Sequence, residues 1–256
     1  MFLDIHLESC DDKGERLKKL ADFGAPFNLS LVPILLMPEH RVFKNGVYPS
    51  DYYYPLQIVD MLKDLAKNNS NITFGQQGFA HYCIDCHEKF IKNGGRKKGA
   101  WPDPWHENKC LYGKTKSVDE QAEFMQRGKN VIENILGVSP VIYVAPNHQK
   151  DRNTNIAAEQ LNYKYLADRA ILNVPPYKEG NLIIIPEREE LGKKGEIFYT
   201  HYDRMKENFW DYINILDESF SPDKITLSEK SKFKTNLNYQ LLIKRKQLRD
   251  IIKRIR

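Results

Sequence analysis

The chain has 256 residues, 41% of them hydrophobic and 29% charged, enough to bury one sizeable core and too apolar for a chain disordered as a whole. Its longest apolar runs, Leu29 to Met37 and Asn181 to Pro186, fall far short of the roughly 20 residues that cross a bilayer, so no transmembrane helix is expected. The formal charge of +5 is uneven: residues 221–256 carry eleven Lys or Arg against Asp223, Glu229 and Asp250, and the rest is mildly acidic, which argues against a body that binds nucleic acid along its length.

Met1 leads directly into Phe2-Leu3-Asp4-Ile5-His6, which reads as a strand without the basic start and long apolar stretch of a secretion signal, so the expected location is the cytoplasm. Four cysteines are too few for a disulfide framework and favour thiols or metal ligation. Residues 2–8 predict a strand, Glu15 to Phe23 a helix ended by Gly24, and Phe27 to Met37 a second strand with its exit loop. Tyr54 to Asn68 has apolar residues at helical spacing, and Asn71 to Phe74 predicts a third strand.

From Tyr82 to about residue 117 the periodicity disappears, and the segment reads as an irregular insertion. It contains Cys83-x-x-Cys86 and, after nineteen intervening residues, His106-x-x-x-Cys110. That is the spacing of a structural zinc site, in which a metal replaces the apolar core such a loop lacks; His87 is a competing ligand. Trp101 and Trp105 either stack on the apolar face of a sugar or pack the loop onto the domain.

Val118 to Leu136 predicts a long helix closed by Gly137, followed by a strand over Val141 to Ala145 and a helix over Asn155 to Leu161. Short strands follow at Tyr165 to Ala167, Leu182 to Ile185 and Glu196 to Thr200, then a helix over Phe209 to Ser219. Strands alternating with helices favour a parallel sheet, open or closed. The domain is expected to span residues 1–220, with residues 221–256 as a basic amphipathic helical tail. That tail could dock on the domain, lie on an anionic membrane or meet a partner protein.

Three segments at predicted strand ends carry a family pattern: Ile72-Thr-Phe-Gly-Gln-Gln-Gly-Phe-Ala-His81, Val141-Ile-Tyr-Val-Ala-Pro-Asn-His148, and Gly195-Glu-Ile-Phe-Tyr-Thr-His201. In order and spacing the chain resembles the polysaccharide deacetylases, the carbohydrate esterase family 4 group and its divergent relatives. In the first segment Gln77 stands where the family has the first histidine of a His-x-x-x-His pair, and His81 stands at the second. In the second Pro146 matches the family's Arg-Pro-Pro-Tyr strand end but the arginine is missing. The opening strand offers Asp4, His6, Glu8, Asp11 and Asp12 in place of paired aspartates.

The resemblance implies a distorted parallel (β/α)7-type barrel with chemistry at the carboxyl ends of its strands, acting as a metal-dependent hydrolase. The implied reaction removes an acyl group, acetyl above all, from an amino sugar or polysaccharide in cell-surface glycan metabolism. It implies a divalent metal, zinc first, held by His6, His81 and Gln77, with Glu8 beside them and His201 as the acid. Asp11 or Asp12 is the expected base or else a helix cap, Asp168 is expected to orient His201, and Asn147 and His148 to line the substrate pocket. The altered ligands leave a second reading open, an inactive barrel that binds glycan or protein. A glycosidase with paired carboxylates would need a second acid, and none is evident in the sequence.

Overall fold

The computed structural model describes residues 2–8, 10, 12–37, 54–80, 115–148, 150–172, 174–189, 197–206, 209–211, 219, 221–225, 227, 237–238, 240–241 and 244. Among the described residues eight strands and four α-helices follow in the order β1 (Phe2–Leu7), α1 (Glu15–Asp22), β2 (Phe27–Leu31), α2 (Leu56–Asn68), β3 (Ile72–Gln77), α3 (Val118–Leu136), β4 (Ile142–Val144), α4 (Arg152–Gln160), β5 (Tyr165–Ala170), β6 (Tyr177–Glu179), β7 (Leu182–Arg188) and β8 (Ile197–His201).

Seven of the strands are parallel and close into a ring, because β7 pairs with both β5 and β8 and β8 pairs with β1. The closure is uneven. β5 and β7 run together over six register pairs from Tyr165↔Ile183 to Ala170↔Arg188, whereas β7 meets β8 at the single pair Arg188↔Phe198. The distorted (β/α)7 barrel expected from the sequence is the fold observed.

β6 was not expected: it hairpins antiparallel onto β7 through Gly180 and Asn181. Gly180 has φ +62°, a conformation open to glycine at no steric cost, and the Asn181 amide donates to Glu159 Oε1 at 2.8 Å. Both β5 and β7 also run three residues beyond their expected ends. Pro186 lies within β7, and a proline can sit in a ladder where no hydrogen bond is asked of its nitrogen.

Alternation along the strands sorts the core. Leu3, Ile5 and Leu7 of β1 face outward and pack with Leu17 and Leu20 of α1 and Ile58 and Leu62 of α2. Phe2, Ile142, Val144, Tyr165, Ala167, Ile185 and Ile197 form a separate interior cluster. Two strand faces thus carry apolar side chains, as a barrel wrapped in helices requires.

The helices are placed by local chemistry. α3 starts in a reciprocal capping box between Ser117 and Glu120 and stops at Gly137. α4 starts earlier than expected, at Arg152, because Asp151 and Thr154 form a second capping box. Gly128 lets α3 close on β3, where a Cβ would lie 2.3 Å from Gln76 Nε2, the group that donates to the Met125 carbonyl. Within the basic segment, Asn238 is buried and accepts hydrogen bonds from the amides of Ile171 and Leu172, fixing that position to the exit of β5.

Candidate active site

The barrel interior is apolar toward the amino ends of the strands and polar toward their carboxyl ends. On β1 the inward series runs Phe2, Asp4, His6, and Asp4 and His6 are fully buried. Residues two apart share a strand face, so the series extends to Glu8 just past β1, to Asn28 and Ser30 on β2, and to Gly75 and Gln77 on β3. It also reaches Arg169 on β5, Glu187 on β7, and Tyr199 and His201 on β8.

His6 lies at the centre. Its ring stacks on Tyr199 with centroids 4.8 Å apart, meets His201 edge-on at 5.4 Å and lies 5.5 Å from the ring of His148. Below it, Asp4 accepts hydrogen bonds from Asn28 Nδ2 at 2.7 Å and Ser30 Oγ at 3.0 Å, and its Oδ2 is 3.5 Å from His6 Nε2. Gly75 makes room for this layer, since a Cβ there would approach Ser30 Oγ to 2.6 Å.

Above it, Glu8 Oε1 accepts from Gln77 Nε2 at 2.8 Å and stands 3.3 Å from His201 Nε2. Gln77 therefore turns its amide nitrogen to Glu8 and lies 3.4 Å from His6 Nδ1 through the same atom. It orients the carboxylate, which is the supporting role open to an amide at that position.

Two residues that sequence reasoning weighed lightly or missed complete the cluster. His148 follows β4 with φ +50°, and burial together with the charges of His6, Arg169 and His201 holds its imidazole well below the usual histidine range. Among the described residues neither of its ring nitrogens has a hydrogen-bond partner. Glu187 was missed: it is fully buried, and burial reinforced by the neighbouring Asp4 carboxylate pushes it well above the usual carboxylate range. Its signal in the sequence was alternation, because Ile185 faces inward and Glu187 is two residues further on.

Asp12 and Asp168 are occupied elsewhere. Asp12 accepts from the amides of Gly14 and Arg16, from Arg16 Nε at 2.7 Å and from Tyr202 Oη at 2.7 Å. The Arg16 and Tyr202 hydrogen bonds overcome the effect of burial and hold it at about 2, so it caps α1 and is a poor proton acceptor at neutral pH. Asp168 takes the face of Leu166, opposite Tyr165 and Ala167, and pairs with Lys150 at 3.3 Å. The carboxylate within reach of His201 is Glu8, and the β5 residue that turns inward is Arg169, which is paired with Glu189.

His81, Asp11, Trp101, Trp105, the set Cys83, Cys86, His106 and Cys110, and the side chain of Asn147 lie outside the described residues.

The cluster fits a divalent cation. Two groups, His6–Glu8–His201 and His6–His148–Glu187, each bring three donor atoms within 4.8 Å of one another. Imidazole and carboxylate suit zinc and other first-row metals in mixed nitrogen and oxygen coordination. Among the described residues His6 Nε2, both nitrogens of His148 and His201 Nδ1 are buried without hydrogen-bond partners, so donor atoms are left open toward the centre of the cluster.

No family model and no curated protein matches the chain. Solved structures similar to it include polysaccharide deacetylases and family 4 carbohydrate esterases. A protein described as a polysaccharide deacetylase from Mycobacterium smegmatis is 12% identical, with 86% of this chain and 79% of that one covered and a TM-score of 0.49. A family 4 acetyl xylan esterase from Clostridium thermocellum, in complex with a cobalt ion, is 11% identical, with 84% and 82% covered and a TM-score of 0.42. The 4-alpha-glucanotransferase of Thermococcus litoralis is 12% identical with a TM-score of 0.51; the likeness covers 91% of this chain and 40% of that one, and it is a likeness of fold.

Proposed function

We propose that this chain is a divalent-metal-dependent hydrolase that removes an acyl group, acetyl in the first instance, from an amino sugar or a polysaccharide, and that it serves cell-surface glycan metabolism from the cytoplasm or a membrane periphery. One observation carries the reading: His6, Glu8 and His201 bring their donor atoms within 4.8 Å of one another at the carboxyl end of a parallel barrel.

Amide hydrolysis needs an attacking water, polarisation of the carbonyl, and a proton for the departing amine. A cation held by imidazole and carboxylate donors around His6 would supply Lewis acidity and lower the pKa of water. Glu8 is the proton acceptor, because its carboxylate lies within 4.8 Å of donor atoms of both His6 and His201 and Gln77 fixes its orientation. His201 gives the proton to the amine as the C–N bond breaks. Its Nε2 is held by Glu8, and Nδ1 has no partner among the described residues. Tyr199 supports His6 and His148 by ring contact.

The rival reading, a barrel that only binds, accounts poorly for these groups. Leaving a buried polar atom unsatisfied costs about 1–3 kcal/mol, and among the described residues several without a protein partner lie together around His6, an arrangement that fits bound groups at a reacting centre. The test is acid release from N-acetylated amino sugars and their oligomers by metal-replete protein, beside His201→Ala. Release by the wild type that the variant lacks supports the reading; a metal-replete wild type inactive on a broad panel overturns it.

A further inference from the structure

We propose that the resident cation is seated by His6, His148 and Glu187, from β1, the turn after β4, and β7, and that Glu8 and His201 stand above it as the proton-transfer pair. This deepens the hydrolase reading and rests on it. It differs from the set implied by the family resemblance, which draws its ligands from β1 and the exit of β3.

Of the two donor groups that share His6, the outer one already has internal partners. Glu8 accepts from Gln77 at 2.8 Å and faces His201 Nε2 at 3.3 Å. The inner group is less satisfied. Among the described residues His6 Nε2 and both ring nitrogens of His148 lack a hydrogen-bond partner, Glu187 is flanked by the carboxyl of Asp4, and His6 and Glu187 are 0% exposed. Among the described residues no lysine or arginine pairs with Glu187.

Charge makes the same selection. The carboxylate of Asp4 stands 3.5 Å from His6 Nε2 and is held by Asn28 and Ser30, so a second buried negative group flanks the seat. Two carboxyl groups and two imidazoles in a low-dielectric interior are unfavourable as they stand and favourable around a divalent ion. The backbone agrees. His148 is held at φ +50°, unfavourable for a residue with a Cβ, and this conformation brings its ring to 5.5 Å from that of His6.

The full-length chain, stripped by chelation, is titrated with Co2+ and Zn2+. Ligand-field absorption without sulfur-to-metal charge transfer reports a nitrogen and oxygen site and separates it from any thiolate site. The wild type is expected to show that signature, and Glu187→Gln and His148→Asn are each expected to weaken binding by about a hundredfold. Glu8→Gln is expected to bind as the wild type does. Wild-type affinity in both Glu187→Gln and His148→Asn, or a wild type without the nitrogen and oxygen signature, overturns the seat. Should Glu187→Gln fail to fold, His148→Asn, on an exit turn, carries the same decision. Cation binding that survives in both seat variants alongside acid release by the wild type sinks the seat and leaves the hydrolase standing. A filled seat with no acid release does the reverse.

Discussion

Glu8 Oε1 stands 3.3 Å from His201 Nε2 while accepting a 2.8 Å hydrogen bond from Gln77, so the carboxylate just past β1 meets the imidazole at the end of the neighbouring strand β8. The register explains the meeting. His6 is level with His201 in the β1–β8 ladder, and Glu8 is two residues on, on the same face. Removing the carboxylate charge while keeping its shape isolates its part in proton transfer. Glu8→Gln is expected to lower kcat by about 10²–10⁴-fold, the range for a positioned acid or base, with little change in KM. His201→Ala is expected to lose a comparable factor, and the double variant little more than either, because the two act as a unit. Steady-state kinetics on an acylated amino sugar decide this, and full additivity in the double variant would contradict a shared step.

Asp12 gives a prediction about stability alone. Its folded pKa of about 2 lies below the ordinary 3.8, so its contribution is present above about pH 4 and is lost as the pH falls toward 2. The size is about 2 kcal/mol, from the shift and the free energy per pH unit. Asp12→Asn is expected to unfold at lower denaturant at pH 7 and to differ little from the wild type near pH 2, with kcat retained. Loss of kcat at unchanged stability would return Asp12 to the role of base.

The fold was legible in the sequence, whereas only part of the site was. Alternating strands and helices with turn signals define the barrel because burial on both strand faces imposes apolar runs of strand length. His6, Glu8 and His201 could be singled out in the sequence because His201 ends a strand that carries the family pattern and His6 and Glu8 share one face at the end of the opening strand. Glu187 and Arg169 were not, since they sit on strand extensions past Ile185 and Ala167, where apolar patterning stops because the barrel interior turns polar. The same change of environment misdirected the role expected of Asp168. Face parity assigns it outward, and parity can be applied only once the strand is known to continue.

Asp168 pairs with Lys150 away from His201, at a partly exposed position. An ion pair of that kind is worth about 0–1 kcal/mol, so Asp168→Asn is expected to shift stability within that range. Its kcat and its pH profile are expected to match those of the wild type. A displaced acidic or basic limb in the profile would show that Asp168 does tune His201, and urea unfolding measured in parallel separates that outcome from simple destabilisation.

Gly75→Ala tests the layer that supports His6. An added Cβ would come within 2.6 Å of Ser30 Oγ and 2.9 Å of Asn28 Nδ2, and these two groups are the donors that hold Asp4. Neither can retreat freely, since each is fully buried. Overpacking of this kind costs about 1–3 kcal/mol, which thermal unfolding measures directly. Because the strain falls on the donors of Asp4, and Asp4 lies beside His6 Nε2, the variant is also expected to lose cation affinity even in conditions where it is fully folded. A Gly75→Ala protein that is destabilised yet binds Co2+ as the wild type does would show that the Asn28–Ser30–Asp4 layer serves the barrel and not the metal centre.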